Sequence, residues 1–91
     1  MFKGERRVEF GEIESIIQSH SDISNAVVIK RQILGIDQLI AYYESEVSKD
    51  LSENLKQIVQ KALPLYMMPS QFIKVKAFNR LVSGKIDRNN L

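Results

Sequence analysis

The sequence predicts an α+β fold in which two helices pack on one small sheet. Apolar residues recur with the period of a strand or of a helix, in segments that follow the order β-α-β-β-α-β. The second and third strand-like segments lie close together in the chain, which favours an antiparallel pair. We therefore predict a two-layer sandwich with a small mixed or antiparallel sheet, followed by a turn at a C-terminal Gly-Lys pair.

Size and composition limit what the chain can do. At 91 residues it can bury one core but leaves little room for a deep substrate cleft. Its net charge is +2 and its basic residues are scattered among acidic ones, so we do not expect a nucleic-acid partner. There is no cysteine, which excludes disulfides and cysteine-bound zinc, and no apolar run as long as a membrane span. We expect a cytoplasmic monomer with no membrane partner and no metal site of its own.

The first elements are a short strand and a helix. Arg7 to Phe10 alternate between polar and apolar residues, as in a half-buried strand. Gly11 interrupts this strand, and Glu12 opens a helix whose isoleucines recur at helical spacing. His20 falls in the last turn of this helix, where a capping or solvated role accounts for it, since no second histidine is present to share a metal ion.

Two strands and a second helix follow. Ala26–Ile29 is a continuous apolar run typical of a central strand that is covered on both faces. Leu39–Tyr43 is the next strand, and Lys30–Asp37 connects the two around a glycine. Asp50–Glu53 has the pattern of a capping box with Asp50 as the N-cap, and the helix behind it ends before a proline. This helix is expected to bury one apolar stripe, made of Leu51, Leu55, Ile58, Val59 and Ala62.

An apolar segment then leads into the last strand. Leu63–Pro69 has proline near both ends, so we predict an extended connector pressed onto the core. Gln71–Phe78 alternates, with Ile73, Val75 and Ala77 on one face and Phe72, Lys74, Lys76 and Phe78 on the other. Lysines between phenylalanines could indicate a base-stacking surface, but a semi-exposed strand with lysine stems over a partner surface is the simpler explanation.

The Gly-Lys pair lies on a bend close to the C-terminus. Ser83-Gly84 favours a turn, and this turn would direct Lys85 outward from a fixed position. Asp87 is expected to cap a short terminal helix. Taken alone, a solvated turn explains Lys85, because the chain has no glycine-rich phosphate loop and no nucleophile-base set. A charged helix start similarly explains the acidic cluster better than metal or acid-base chemistry does; its members are Glu9, Glu12 and Glu14.

Three segments match, in order and at similar distances, the motifs of one enzyme superfamily. Arg7–Glu14 resembles the motif that opens the small C-terminal subdomain of adenylate-forming enzymes, which include nonribosomal peptide synthetase adenylation domains, acyl- and aryl-CoA ligases and luciferases. Leu63–Pro69 resembles the Leu-Pro-x-Tyr-Met-Val-Pro segment of that subdomain. Ser83–Leu91 resembles its closing Asn-Gly-Lys-Val/Ile-Asp-Arg-x-x-Leu motif. The resemblance covers essentially the whole chain and is somewhat stronger to the amino-acid-activating members.

This resemblance implies a ligase that works in two steps. A carboxylic acid attacks the α-phosphate of ATP to give an acyl-adenylate, and the acyl group then passes to a phosphopantetheine thiol on a carrier protein or on CoA. ATP, Mg²⁺ and the acid would be bound mainly by a much larger N-terminal adenylation subdomain. The small domain would be a lid that rotates between the two half-reactions and presents a different face in each.

Carried over by position, the resemblance assigns two groups of site residues. Lys85 matches the lysine that enters the active site for adenylation, with a supporting turn made of Gly84, Asp87 and Arg88. The face presented in the thioester step matches Gly4, Arg7, Glu9 and Gly11. Here the chain departs from the usual Arg-Gly-x-Arg-Ile/Val-Glu pattern, because it has one more residue between Gly4 and Val8.

The resemblance therefore predicts that residues 1–91 are the C-terminal lid of an ATP-dependent carboxylate-activating ligase. We expect the large N-terminal domain to be absent from this chain, so the lid should not turn over alone. The alternative is a non-catalytic module that keeps the lid fold and binds a carrier or regulatory protein. The acid that is activated would be selected by the large domain.

Overall fold

The computed structural model describes residues 9–89 and residue 91, and within them it confirms the α+β architecture. In chain order the elements are helix α1 (Phe10–Gln18), strands β1 (Asn25–Ile33) and β2 (Ile36–Glu44), helix α2 (Ser52–Ala62), a 3₁₀ helix (Leu65–Met67) and strand β3 (Gln71–Val75).

The three strands form one mixed sheet in the order β1-β2-β3. β1 and β2 are an antiparallel hairpin, whereas β2 and β3 run parallel because α2 carries the chain back across the sheet. The mixed sheet is confirmed, but the central strand is β2 and not the Ala26–Ile29 segment. β1 lies at an edge of the sheet and nevertheless has buried residues on both of its faces.

Two apolar clusters cover the two faces of the sheet. On one face, residues from both helices meet the strands; the buried members include Ile13, Ile17, Val28, Ala41, Tyr43, Leu55 and Val59. On the other face, the C-terminal segment covers the strands; this cluster contains Val27, Ile40, Tyr42 and Phe78, with Ile86 and Leu91 packed against it. The second cluster therefore holds the C-terminal segment, including the region of the Gly-Lys bend, against the sheet.

The β1–β2 hairpin is tighter than the sequence predicts. The strands continue to Ile33 and from Ile36, so the predicted Lys30–Asp37 connection shrinks to the two residues Leu34 and Gly35. Both have positive φ angles, 53° and 79°, which is the turn geometry that matches the twist of a two-residue hairpin. The predicted length of this connection was wrong because such turns usually contain Asn-Gly, and a leucine at the first position is not recognised as a turn residue.

The prediction of a strand before α1 is wrong at Phe10, which is the first residue of that helix. Arg7 and Val8 lie outside the described residues. Gly11 is inside the first helical turn rather than ahead of it. His20 follows the end of α1, and its Nδ1 accepts a hydrogen bond from the backbone N–H of Asp22 at 3.1 Å, which is a local capping contact.

The start of α2 also differs from the capping-box prediction. The N-cap is Leu51, without a side-chain cap. Asp50 instead accepts hydrogen bonds from the N–H and the hydroxyl of Ser52, at 2.9 Å and 2.6 Å. These bonds, the hydroxyl contact first, hold the pKa of Asp50 below its ordinary value. Leu51 is stabilised by a different contact, because its N–H donates to the buried hydroxyl of Tyr43 at 3.2 Å.

Two further predictions need correction between α2 and the C-terminus. The Leu63–Pro69 connector is not extended throughout, since Pro64 is followed by a turn of 3₁₀ helix that buries Met67. β3 ends at Val75, so Phe72 and Phe78 do not share a face: Phe72 packs beside the helices and Phe78 in the opposite cluster. The two rings therefore do not form a common stacking surface.

Candidate functional site

The Gly-Lys bend is a small closed turn. The Leu81 N–H donates to the carbonyl of Lys85 at 2.7 Å, and the Gly84 N–H donates back to the carbonyl of Leu81 at 2.8 Å. Gly84 has a φ of 93°, a conformation that side chains rarely adopt, so this position of the turn needs glycine. Arg80 and Ile86 pair across the base of the turn as an antiparallel bridge. Lys85 thus leaves a defined loop and not a slack tail.

The incoming side of the turn is held by Glu44 at the end of β2. One carboxylate oxygen accepts the Phe78 N–H at 2.9 Å, and the other accepts the Asn25 side-chain amide at 2.7 Å. Arg80 lies 3.9 Å from Glu44 and donates to the carbonyl of Gly84 at 3.2 Å. Burial opposes ionisation of Glu44, but these donors and the Arg80 charge hold its pKa below the ordinary value. Glu44 is therefore a charged anchor that connects the sheet to the turn.

The outgoing side of the turn is held by Glu14 of α1. Arg88 donates two hydrogen bonds to the Glu14 carboxylate, from Nη1 to Oε2 at 2.9 Å and from Nη2 to Oε1 at 3.3 Å. Glu14 Oε2 also accepts the Val28 N–H at 2.8 Å, so one buried carboxylate joins α1, β1 and the C-terminal segment. Bonding to Glu14 raises the pKa of Arg88, which keeps its charge fixed.

Lys85 itself is exposed between these two anchors. Within residues 9–89 and 91, its ammonium group has no ion-pair partner. It lines an open concavity of about 530 Å³ together with Arg80, Asp87 and Arg88. The two arginines are paired with Glu44 and Glu14, so among the described residues the positive charge of Lys85 is the one in this lining that no ion pair offsets. The apolar residues Leu81 and Val82 are also exposed here, Val82 fully so. Lys85 therefore presents an exposed charge from an anchored turn, beside two exposed apolar residues.

Asp87 stabilises the turn in a different way from the one predicted. Its N–H donates to the carbonyl of Asn79 at 2.8 Å, and its carboxylate accepts the Asn89 N–H at 3.1 Å. Arg88 and Asn89 form a turn rather than the first residues of a helix. The capping chemistry of the side chain is thus present, but the terminal helix that was predicted for it is absent from residues 79–89.

The residues expected on the thioester face are only partly visible. Gly4 and Arg7 lie outside the described residues. Glu9 is exposed at the start of α1, where its carbonyl accepts the N–H groups of Glu12 and Ile13 at 3.1 Å and 3.3 Å. Gly11 is exposed in the first turn of the same helix.

The two anchoring carboxylates were not identified as such from the sequence. Glu14 was assigned to a charged helix start, although it is next to Ile13 and three residues before Ile17, on the side of the helix that is buried. A carboxylate on a buried stripe needs a partner, and this is the signal that could have found it. For Glu44, the sequence shows only that it follows an apolar, strand-like run, and this position does not predict which groups it will bind.

The described residues contain neither a metal-binding cluster nor a membrane-spanning helix. No three His, Cys, Asp or Glu side chains in residues 9–89 and 91 come together as a metal ion would require. Among those residues, no helix combines the length and the apolar character needed to cross a membrane.

Comparison of the sequence with known proteins identifies its relatives. A profile of the family described as AMP-binding enzyme C-terminal domain matches residues 12–85. Zwittermicin A synthase ZmaJ of Bacillus cereus is 41% identical over 86 residues, which cover 93% of this chain and 16% of that protein. Delta-poly-L-ornithine synthetase of Acinetobacter baumannii (strain AB307-0294) is 41% identical over 88 residues, which cover 93% of this chain and 7% of that protein. The chain thus spans less than a fifth of the length of either relative.

Solved structures contain the same fold. Holo-AB3403, a four-domain nonribosomal peptide synthetase bound to AMP and glycine, matches with a TM-score of 0.84 and 34% identity, over 93% of this chain and 6% of that one. A benzoate CoA ligase from Burkholderia xenovorans LB400 matches with a TM-score of 0.81 over 88% of this chain and 17% of that one, and at 24% identity this likeness shows the fold alone. The family profile, the sequence relatives and the shared fold agree, and the chain belongs to the AMP-binding enzyme C-terminal domain family.

Proposed function

We propose that residues 1–91 are the lid of an ATP-dependent ligase that activates a carboxylic acid and transfers it to a phosphopantetheine thiol. The lid supplies Lys85 as the catalytic cation of the first step. The observation that carries this proposal is the exposure of Lys85 on a turn that is anchored from both sides. A cation that has a fixed base, and no ion-pair partner among residues 9–89 and 91, can be presented to a neighbouring domain in a defined position.

The chemistry of the first step explains why an ammonium group is needed. A carboxylate and a triphosphate repel each other as they approach, and negative charge builds up at the α-phosphate during the attack. A preorganised cation in a site from which water is excluded offsets both effects. Lysine suits this task because its charge is compact and sits at the end of a flexible stem.

The other participants would be bound outside this domain. Mg²⁺ would bind together with ATP in the large N-terminal adenylation domain, because such sites hold Mg²⁺ through the phosphates of the substrate and one or two carboxylates. The match to a synthetase bound to AMP and glycine supports an adenylate as the intermediate and an amino acid as one class of substrate. The thiol acceptor would be a carrier protein or CoA, approached from the face that includes Glu9 and Gly11.

The test is to change Lys85 to alanine in the complete ligase and to measure the two half-reactions separately. Adenylation, followed by pyrophosphate exchange, should fall by roughly 10² to 10³ because one preorganised charge partner is lost. Thioester formation from supplied acyl-adenylate should persist. Lys61→Ala is the matched control, since Lys61 is an exposed lysine in the last turn of α2.

An equal loss in both half-reactions would refute the assigned role, as would an adenylation rate that does not change. If neither half-reaction responded and the domain still bound a carrier or regulatory protein, the alternative of a non-catalytic module would replace the ligase proposal.

A further inference from the structure

We infer that Glu14 is a positioning residue for adenylation: through Arg88 it fixes the direction in which Lys85 leaves the turn. This inference rests on the proposed function, because it assumes that Lys85 acts in a neighbouring active site. It adds a residue of the opening motif, 71 positions before Lys85 in the chain, to the machinery of the first half-reaction.

Both oxygens of the Glu14 carboxylate accept hydrogen bonds, and two of these bonds come from Arg88. The residue is only 8% exposed although it lies in a short surface helix. A buried carboxylate is costly unless its oxygens are hydrogen-bonded, and here they accept three bonds, of which two are 2.8 Å and 2.9 Å long and the third is longer, at 3.3 Å. One comes from the backbone of Val28 on the free edge of β1, and two come from the planar fork of Arg88.

The bidentate form of the contact defines an orientation as well as a position. Two parallel N–H···O bonds fix the plane of the Arg88 guanidinium relative to the Glu14 carboxylate, which a single ammonium could not do. The carboxylate is in turn held by the N–H of Val28 in the sheet. Through Glu14, the C-terminal segment is therefore connected to α1 and to β1 at Arg88, three residues after Lys85.

The Glu14–Arg88 contact is the ion pair that fixes the outgoing side of the turn among the described residues. Glu44 and Arg80 hold the residues before Lys85, and Ile86, which is partly buried, packs on the second apolar cluster. Without the Glu14 contact, the backbone bonds of the turn and the packing of Ile86 and Leu91 would remain, but among the described residues no ion pair would fix the outgoing side of the turn to α1. Lys85 would then keep its charge and its exposure but lose a unique direction.

The first experiment uses this chain and does not depend on catalysis. Glu14→Gln keeps the size of the side chain and one oxygen that can accept the Val28 N–H, but it cannot receive both arms of Arg88. We expect amide exchange at Leu81 and Gly84 to accelerate roughly tenfold or more, because a charge-assisted contact is lost, while the β1–β2 amides stay protected. Glu53→Gln, an exposed acid in the first turn of α2, is the matched control and should change neither set.

The second experiment measures the half-reactions in the complete ligase. Glu14→Gln should lower the kcat of adenylation by up to about 10², the effect of misplacing a catalytic group by about 1 Å, with little change in the KM for ATP and little change in thioester formation. Arg88→Lys should reproduce this effect at a site that is half exposed, where folding is less at risk. The double variant should be no worse than the more impaired single variant, since both remove one contact.

The outcomes separate this inference from the proposed function. Equal losses in both half-reactions, or a uniform rise in amide exchange across the domain, would mean that Glu14 only stabilises the fold and would overturn the inference. Additive losses in the double variant would also overturn it. Failure of the proposed function would instead appear as an adenylation rate that is insensitive to Lys85→Ala, whatever the exchange measurement on the turn shows.

Discussion

Gly84 offers a sharp test of whether the shape of the turn matters to the reaction. Its φ of 93° is unfavourable for any residue with a Cβ, yet a Cβ built there meets no atom within 4 Å. Gly84→Ala therefore adds backbone strain without a steric clash. Adopting a left-handed conformation costs an alanine about 1–2 kcal/mol, which lowers the population of the closed turn by about 5- to 30-fold relative to other local conformations.

Gly35 is the matched control for this change. It lies in the β1–β2 turn with a φ of 79°, and a Cβ built there also meets nothing within 4 Å. Gly35→Ala and Gly84→Ala should thus reduce the free energy of unfolding of the domain by similar amounts, or less for Gly84 if its turn opens locally. Only Gly84→Ala should slow adenylation, by up to about 30-fold, because only that turn carries Lys85.

The assays are urea unfolding of the domain and pyrophosphate exchange by the complete ligase. If both glycine variants slowed adenylation equally, the loss would follow general stability and the positioning argument would fail. If Gly84→Ala left adenylation unchanged, the shape of the turn would have no part in the reaction.

Three further predictions address the surface and the anchors. If Lys85 enters the large domain as proposed, the exposed apolar side chain of Val82 goes with it, so Val82→Asp should lower adenylation by about tenfold or more. Leu34→Asp, at the likewise exposed β1–β2 turn, should leave adenylation unchanged, and equal effects of the two variants would contradict this. Glu44→Gln should reduce the free energy of unfolding at neutral pH by about 1–3 kcal/mol. Because folding lowers the pKa of Glu44, the unfolded state binds more protons than the folded state as the pH falls below the ordinary pKa of a glutamate. The wild type should therefore lose this stability in acid, and the glutamine variant should lose less. Identical pH profiles of the two proteins in urea unfolding would contradict the anchoring role of Glu44. Tyr43→Phe should cost about 1–3 kcal/mol in the same assay, since the buried N–H of Leu51 loses its acceptor, and a neutral result would mean that water replaces the hydroxyl.

Sequence patterns correctly predicted the elements that depend on residues close to one another in the chain. The isoleucine stripe of α1 and the apolar stripe of α2 follow from helical spacing alone, and most of their members are buried. The bend at Gly84 was predicted for the same reason, because Ser-Gly favours a turn irrespective of the rest of the chain. The antiparallel β1–β2 pair follows from the short distance between two strand-like runs.

The features that were missed depend on distant partners. Whether Ala26–Ile29 is central or at an edge depends on where β3 pairs, and the alternating pattern of Phe78 cannot show that β3 ends before it. The anchors of the turn are more distant still: Phe78 meets Glu44 across 34 positions and Arg88 meets Glu14 across 74. Periodicity indicates which face of an element is buried, but not which polar group will meet another across the fold.

The central claim is that one ammonium group, presented by this turn, promotes adenylation. It can be tested by chemical rescue, because the chain contains no cysteine and Lys85→Cys introduces a unique thiol into the domain. We predict that Lys85→Cys lowers adenylation by roughly 10² to 10³, that alkylation with bromoethylamine restores much of the rate by rebuilding an amine at nearly the same reach, and that capping with neutral iodoacetamide does not. The unmodified ligase treated with the same reagents is the control. Equal recovery with the neutral cap, or no loss in the cysteine variant, would contradict the claim.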